Sequence, residues 1–295
     1  MAEIERVGVL GAGLMGSGIA QVAAQAGLDT VVREVSDTLC ERGREAIARS
    51  LEKGIERGKL TPEQRDATLA RLRFTTDMDA LSERDIVIEA VVEELEVKNA
   101  MWRALDERCP AHTIFATNTS SLTVAAMAAA TKRPDRMVGL HFFNPVPLMK
   151  LVEVVRTVTT SRATFDTALA FARRLGKEPI AVKDNAGFVV NLLLIPYLLD
   201  AITQLERGVA TVEAIDTGMT LGTGHPMGPF TLLDFVGLDT TLRIAEIMFD
   251  EYREKRYAPP PLLRRMVLAG MLGRKSGKGF YDYSTNPPAV SELGL

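Results

Sequence analysis

The stretch Arg6-Val7-Gly8-Val9-Leu10-Gly11-Ala12-Gly13-Leu14-Met15-Gly16 decides the fold of this chain. It combines a short apolar strand with the spacing G-x-G-x-x-G, and an alanine-rich helical stretch follows to about Gly27. Gly11 allows a tight turn, Gly13 lets the backbone approach a pyrophosphate, and Gly16 permits close packing of helix on strand. The N–H groups and dipole of the helix N-terminus favour an anion there. The stretch therefore predicts a dinucleotide-binding βαβ unit.

A carboxylate follows the second strand of this unit. Residues 30–32 are strand-like and run into Arg33 and Glu34. Glu34 lies 34 − 13 = 21 residues after Gly13, where an acidic side chain accepts hydrogen bonds from the adenosine ribose. Because a carboxylate repels a 2′-phosphate, the sequence favours NAD over NADP, and the adjacent Arg33 would weaken that preference.

The composition excludes several classes of protein. The 295 residues are 46% hydrophobic and 25% charged with a net charge of −3, as in soluble globular chains without a nucleic-acid footprint. Cys40 and Cys109 fit no metal or redox spacing, so we expect reduced, buried thiols and no metal site. The most apolar stretch, residues 188–199, is too short to span a bilayer. With no signal or transit pattern at the start, we expect a cytoplasmic protein.

Residues 38–72 read as a charged helical pair inserted into the βα alternation. Thr61-Pro62-Glu63-Gln64 is a capping box that opens the second helix. The pair is either a solvated hairpin, which we favour, or a docking surface for an anionic ligand through Lys53, Arg57 or Lys59.

Polar side chains follow two further predicted strands. Residues 86–92 form a buried parallel strand that ends at Glu93, with Lys98 one turn into the next helix. Residues 113–116 end at Thr117-Asn118-Thr119-Ser120-Ser121, in which Ser121 could cap a helix from Leu122 while Ser120 faces a ligand. Because carboxyl ends of parallel strands face the ligand crevice, we expect these groups near the cofactor.

His141 and Glu153 are the candidate acid–base pair. Each lies in a strand-like run, and Pro145 and Pro147 force a stiff turn between the runs. Neighbouring strands would set the imidazole beside the carboxylate 153 − 141 = 12 residues downstream. The carboxylate would fix the tautomer and leave the other ring nitrogen free to take a proton. The alternative is a core histidine with Glu153 as a solvated edge residue.

After Lys183 the pattern becomes helical to the end of the chain. We predict an α/β doubly wound domain over residues 1–185 and a helical domain over residues 186–295. The many apolar helix faces predict that the second domain also packs against a second copy of the chain. The basic loop Gly273-Arg274-Lys275-Ser276-Gly277-Lys278-Gly279 is either a solvated tail or a contact on phosphate or cofactor.

With these residues in view, the chain closely resembles the short-chain 3-hydroxyacyl-CoA dehydrogenases, most of all the bacterial 3-hydroxybutyryl-CoA dehydrogenases. The resemblance covers nearly the whole chain and rests on six motifs: residues 11–16, Ala116-Thr117-Asn118-Thr119-Ser120-Ser121, His141-Phe142-Phe143-Asn144-Pro145, Gly187-Phe188-Val189-Val190-Asn191, His225-Pro226-Met227-Gly228-Pro229 and residues 275–283. It departs from the family pattern in Glu34, which replaces the commoner aspartate, and in Leu192, where arginine is expected.

The resemblance implies a role for each matched residue. His141 is the catalytic base, Glu153 its partner, and Ser120, Asn144 and Asn191 contact substrate or brace the histidine. The NAD site is implied to comprise Gly11, Gly13, Leu14, Met15, Gly16, Glu34, Glu93, Lys98, Asn118, Ser120, Asn144 and Lys275. His225 is implied to be structural, and residues 38–72 to meet coenzyme A, which makes Lys53 and Lys59 candidates.

The expected reaction is the NAD-dependent interconversion of (S)-3-hydroxyacyl-CoA and 3-ketoacyl-CoA, with 3-hydroxybutyryl-CoA as the expected substrate. A 3-hydroxyadipyl-CoA substrate from aromatic degradation stays open, as does a dehydrogenase for free 3-hydroxy acids, which uses a lysine instead of the His–Glu pair. A non-catalytic NAD-binding protein is the remaining alternative, and the intact polar residues argue against it.

Overall fold

The computed structural model describes residues 3–294 and divides into two compact units. The first unit ends at Phe188 and the second begins at Val189. The sequence placed the boundary between residues 185 and 186, three residues earlier (188 − 185 = 3).

Within residues 3–294, eight strands of the first unit form one sheet. They are β1 (Arg6–Leu10), β2 (Asp29–Arg33), β3 (Leu72–Thr75), β4 (Ile86–Glu89), β5 (Ile114–Thr117), β6 (Met137–Phe142), β7 (Leu151–Arg156) and β8 (Glu178–Lys183). Their order is β3-β2-β1-β4-β5-β6-β7-β8, and every neighbouring pair is parallel except β6 and β7. The chain order reverses between β1 and β4, which is where doubly wound sheets open their ligand crevice. The predicted fold class is confirmed.

Helices cover both faces of this sheet. They are α1 (Leu14–Gln25), α2 (Asp37–Glu56), α3 (Pro62–Leu69), α4 (Leu95–Asp106), α5 (Val124–Ala128) and α6 (Arg162–Arg174). Alternate strand residues enter two different cores: Val9 packs with α1 and α6 on one face, whereas Leu10 packs with α4 and α5 on the other. Burial on both faces explains the nearly continuous apolar runs of the central strands.

The helical pair of residues 38–72 differs from the predicted insertion. It leads from β2 to the edge strand β3, which the sequence interpretation missed and which pairs with β2 in parallel. The residues of β3 are only partly buried and include Arg73, so they lack the apolar signature of a central strand. The capping box at Thr61 and Gln64 is present as predicted.

Two further boundaries are corrected. The strand predicted over residues 86–92 leaves the sheet after Glu89, so Glu89 and not Glu93 occupies the strand end. Helix α5 begins at Val124 instead of Leu122, and Asp184, not Ser121, satisfies its first N–H groups: Val124 N and Ala125 N donate to the Asp184 carboxylate at 2.8 and 2.7 Å.

The second unit is mainly helical, as predicted. Its helices are α7 (Val190–Glu206), α8 (Val212–Thr223), α9 (Pro229–Val236), α10 (Leu238–Tyr252) and α11 (Pro261–Leu268). The sequence interpretation missed a short antiparallel pair, β9 (Tyr281–Asp282) with β10 (Ala289–Val290). Buried Asp234 accepts hydrogen bonds from Phe280 N and Tyr281 N, which fixes this C-terminal segment on α9.

Both cysteines are free and buried, as expected, and burial raises the pKa of the Cys109 thiol to about 11. Within residues 3–294 there is no group of three or more histidine, cysteine and acidic side chains that could hold a metal ion. None of the helices in this described part is both long enough and apolar enough to cross a bilayer. The cytoplasmic location stays a prediction.

Candidate active site

His141 and Glu153 face each other across two antiparallel strands. They are register partners in β6 and β7, and His141 Nδ1 lies 2.6 Å from Glu153 Oε2. Glu153 is fully buried and His141 is 6% exposed. The pair lies on the face opposite to Leu140 and Phe142, because successive side chains of a strand alternate. The predicted proximity of these two side chains is therefore present in the structure.

This geometry assigns the proton of Nδ1. A carboxylate can only accept, so the imidazole donates its Nδ1–H to Glu153 Oε2 and Nε2 carries the free lone pair. Nε2 can then take a proton from a substrate, and the buried carboxylate stabilises the resulting imidazolium. The arrangement matches the base and orienting carboxylate of a general acid–base site.

Two aromatic rings lie beside the imidazole. The ring centroids of Phe143 and Phe188 lie 4.5 and 5.6 Å from that of His141. Phe188 is 1% exposed and has φ of 51°, a left-handed conformation that non-glycine residues rarely adopt. The strained backbone at Phe188 thus accompanies an aromatic contact on the candidate base.

The end of β5 is tied to the end of β6. Asn118 Oδ1 accepts from Phe142 N at 2.9 Å, and Asn118 N donates to Glu89 O at 2.8 Å. Asn118 therefore fixes the backbone next to His141 while remaining half-exposed at the carboxyl edge of the sheet.

A buried ion cluster supports the same edge. Lys98 Nζ lies 2.7 Å from Glu89 Oε1 and 2.9 Å from Glu93 Oε2, and Lys98 is 1% exposed. Burial alone would lower the pKa of Lys98, but Glu89 and Glu93 outweigh it and raise that pKa above its ordinary value. Burial would likewise raise the pKa of Glu93, but Lys98 and the hydrogen bonds from Thr119 and Ser120 hold it below its ordinary value. Both shifts favour the charged forms of Lys98 and Glu93.

Glu93 accepts hydrogen bonds from the small polar loop after β5. Its Oε1 accepts from Ser120 N at 3.0 Å and from Ser121 Oγ at 3.2 Å, and Thr119 Oγ1 also donates to it. The predicted NAD-site residues Glu93 and Lys98 thus adjoin Ser120 in the structure. The sequence interpretation missed Glu89, which also accepts from Thr117 Oγ1 at 2.7 Å. The available signal was a lone carboxylate inside an otherwise apolar strand.

The glycine-rich turn fits a dinucleotide. Gly11 has φ of 92°, and a Cβ on Gly16 would lie 1.9 Å from Gly11 O, so both positions require glycine. A Cβ on Gly13 would meet nothing within 4 Å, and Gly13 and Leu14 are exposed at the N-terminus of α1, while Met15 is half-buried. The amide end of the helix is therefore open to a phosphate group.

Glu34 closes this turn. Its Oε1 accepts from Ala12 N at 2.7 Å, and its Oε2 accepts from Val35 N at 2.9 Å. The neighbouring Arg33 donates its Nε–H to Thr76 O at 3.3 Å. The carboxylate is thus held against the turn where an adenosine ribose would lie, and Arg33 is engaged elsewhere.

The other predicted residues occupy varied settings. Asn144 is exposed in the turn between β6 and β7, and Lys53 and Lys59 are exposed on and after α2. In the second unit, Asn191 is buried near the start of α7, His225 is exposed, and Lys275 Nζ pairs with the Asp239 carboxylate at 2.7 Å. The functional roles of these six residues stay predictions.

Comparison with known proteins identifies two family domains in the chain. Residues 6–185 match the 3-hydroxyacyl-CoA dehydrogenase NAD-binding domain, and residues 187–283 match the 3-hydroxyacyl-CoA dehydrogenase C-terminal domain. A 3-hydroxybutyryl-CoA dehydrogenase of Mycobacterium tuberculosis is 52% identical over 282 residues, which cover 95% of this chain and 99% of that protein. The human mitochondrial hydroxyacyl-coenzyme A dehydrogenase is 46% identical over 287 residues, with 95% and 91% covered.

Solved structures show the same similarity. The crystal structure of FadB2 from M. tuberculosis superposes with a TM-score of 0.94 at 51% identity, covering 96% of this chain and 100% of that chain. The (S)-3-hydroxybutyryl-CoA dehydrogenase PaaH1 of Ralstonia eutropha gives a TM-score of 0.92 at 44% identity, again over 96% and 100% of the chains.

Proposed function

The chain belongs to the 3-hydroxyacyl-CoA dehydrogenase family of NAD-dependent oxidoreductases, and we propose that His141 and Glu153 are its acid–base pair. The observation that supports this proposal is the 2.6 Å contact between His141 Nδ1 and Glu153 Oε2 in a buried setting. It leaves one imidazole nitrogen to exchange a proton with the substrate oxygen. Dehydrogenases of free 3-hydroxy acids use a lysine as the acid–base group, and the pair proposed here contains a histidine and a glutamate instead.

In the direction of oxidation, His141 Nε2 removes the proton of the 3-hydroxyl group of the acyl-CoA. Bound NAD supplies the acceptor for the hydride that leaves C3. Glu153 stabilises the imidazolium while the proton stays on Nε2, and in the reverse direction His141 returns that proton to the oxygen of a 3-ketoacyl-CoA. General acid–base catalysis of this kind contributes about 10²–10⁴-fold to the rate.

We propose that three polar residues complete the substrate site. Ser120 lies on the loop held by Glu93, and Asn144 lies on the turn that begins just after His141. Asn191 of the second unit is the third, and its role rests on the family resemblance. We also propose, from the family resemblance, that Lys275 contacts NAD and that Lys53 and Lys59 contact coenzyme A.

We propose 3-hydroxybutyryl-CoA as the preferred substrate, because the M. tuberculosis and R. eutropha relatives are named for it. 3-Hydroxyadipyl-CoA is the second candidate. We also propose a cytoplasmic homodimer formed through the second unit, since that unit exposes apolar side chains such as Leu193 and Leu221, which are 68% and 83% exposed.

The test is oxidation of NADH by acetoacetyl-CoA, longer 3-ketoacyl-CoA esters, 3-ketoadipyl-CoA and free acetoacetate. We expect the highest kcat/KM for acetoacetyl-CoA and negligible turnover of the free acid. His141→Ala should lower kcat about 10²–10⁴-fold and leave NADH binding intact. His112→Ala is the matched control, because the His112 side chain is 58% exposed. Near-normal turnover by the His141 variant would refute the assignment.

A further inference from the structure

Lys177 is a buried cation outside the candidate active site. It lies between α6 and β8, directly before the first residue of β8, and is 7% exposed. Its Nζ donates to two main-chain carbonyls, those of Val146 and, at 2.9 Å, Met149. Both acceptors belong to the segment that joins the strand of His141 to the strand of Glu153.

The cation has no acidic partner that would explain its burial. Along residues 3–294, no carboxylate forms an ion pair with Lys177, and the adjacent Glu178 extends instead to Lys150 Nζ at 3.7 Å on the surface. Burial lowers the pKa of Lys177. Because a buried ammonium without a carboxylate is costly, its hydrogen bonds to the two carbonyls are its main compensation.

The segment it holds is a compact turn, residues 143–150, which we call the histidine turn. It begins 143 − 141 = 2 residues after His141 and ends 153 − 150 = 3 residues before Glu153. Pro145 O accepts from Leu148 N and from Met149 N, each at 2.9 Å. The turn therefore has an internal hydrogen-bond structure that an external anchor can hold in one position.

The histidine turn also packs on α1. Val146 is 2% exposed, and a Cβ added to Gly18 would lie 2.8 Å from Val146 Cβ. Val146 thus packs directly on the helix whose N-terminus adjoins the glycine-rich turn. Lys177 binds the carbonyl of this same residue, so the histidine turn is fixed between α1 and the Lys177 ammonium.

We propose that Lys177 is a positioning residue for the reaction: its ammonium holds the histidine turn in place on α1, and through the turn it fixes Asn144 and the approach to His141. An ammonium suits this role because it carries three N–H donors on a long apolar stem and can bind two carbonyls at once. The inference rests on the proposed function of His141 and Asn144, since it acts on their placement.

The test uses two variants of the full-length protein. Lys177→Met keeps the apolar stem and removes every donor, and Lys177→Gln keeps N–H donors on a shorter arm. Lys150→Met is the matched control, because its side chain is 77% exposed on the same turn. Each protein is assayed for kcat and KM with acetoacetyl-CoA, for NADH affinity, and for hydrogen exchange at the amides of Leu148 and Met149.

We expect Lys177→Met to lower kcat at least tenfold and to weaken NADH affinity by a smaller factor, because small displacements of reacting groups cost up to about 10²-fold. Exchange at the Leu148 and Met149 amides should accelerate at least tenfold, whereas the β6 and β7 amides stay protected. Lys177→Gln should fall between the wild type and Lys177→Met, and Lys150→Met should match the wild type.

A folded Lys177→Met protein with wild-type kcat, or with unchanged exchange at the two turn amides, overturns the proposal. Failure of both Lys177 variants to fold also overturns it, because the residue is then an anchor for folding. A wild-type protein that does not reduce acetoacetyl-CoA contradicts the proposed function instead. The exchange measurement separates the two failures, since it requires no activity.

Discussion

The replacement Glu153→Gln tests the candidate acid–base pair with the smallest change of shape. The carboxylate is fully buried and lies 2.6 Å from His141 Nδ1, so an amide of equal size fits the same space. The variant loses the negative charge beside the imidazole. Unlike His141→Ala, it leaves the base itself in place.

The expected decrease in kcat follows from the attraction between the Glu153 carboxylate and the imidazolium of His141. At about 4 Å and an effective dielectric constant of about 20, opposite unit charges attract by about 4 kcal/mol. Full expression of this energy in the transition state would change the rate about 10³-fold. Because the imidazole is only partly charged at that point, we expect kcat to fall about 10²–10³-fold. A glutamine that turns its NH₂ toward Nδ1 would enforce the wrong tautomer and increase the loss.

The assay is steady-state oxidation of NADH by acetoacetyl-CoA, repeated with deuterated NADH. If hydride transfer limits the slowed variant, deuterated NADH should give a kinetic isotope effect on kcat clearly above one. NADH affinity should stay within about twofold of the wild type, because the pair does not hold the dinucleotide turn. Glu178→Gln is the control, since the Glu178 side chain is 76% exposed on the neighbouring strand.

A Glu153→Gln protein that binds NADH normally and retains kcat within about threefold of the wild type would refute the reasoning. A large loss of kcat with an isotope effect near one would also contradict it, because the slow step would then lie outside hydride transfer. Thermal unfolding of both variants checks that the fold persists.

Three further predictions concern other parts of the first unit. Glu34→Ala should lower the ratio of kcat/KM with NAD to kcat/KM with NADP by about 10–100-fold, because it removes about 1–3 kcal/mol of repulsion between the carboxylate and the 2′-phosphate. An unchanged ratio would contradict the assignment of Glu34 to the adenosine ribose. The fold holds the pKa of Glu93 below its ordinary value of 4.5, so Glu93 contributes stability above about pH 4.5 that is lost as the pH falls and its carboxylate is protonated. In Glu93→Gln, the unfolding free energy measured by urea titration should therefore decrease less steeply below about pH 4.5 than in the wild type. The exposed Glu94 provides the control, since Glu94→Gln should retain the wild-type pH dependence. Gly18→Ala should lower the melting temperature although alanine favours helix by about 1 kcal/mol, because its Cβ would lie 2.8 Å from Val146 Cβ; a higher melting temperature would contradict this packing argument.

The sequence predicted the parts of the fold that depend on local pattern. The glycine spacing at residues 11–16 is typical of a tight turn between strand and helix, and the structure shows why Gly16 admits no side chain. The apolar central strands were equally recognisable. The edge strand β3 was not, because its half-exposed residues carry no strong alternation and its pairing with β2 is a long-range contact.

The sequence reveals the site residues whose type and spacing indicate chemistry directly. It does not reveal the residues that act by holding other side chains or the main chain. His141 and Glu153 stood out as a rare histidine and a spaced carboxylate. Glu89 lay inside an apolar strand, and only the fold shows that it holds Lys98 and Thr117. Lys177 was equally hidden, because its partners are main-chain carbonyls, which leave no trace in the sequence.

The reversal of β7 explains why the pair is so close in sequence. Parallel neighbours need a crossover of about a dozen or more residues between the end of one strand and the start of the next. His141 and Glu153 are separated by 153 − 141 = 12 positions, which include the remainder of β6 and the start of β7. Only an antiparallel turn fits this interval and places both side chains on one face. Within residues 3–294, β6 and β7 form the one antiparallel pairing of this otherwise parallel sheet, and that pairing brings the carboxylate to the histidine.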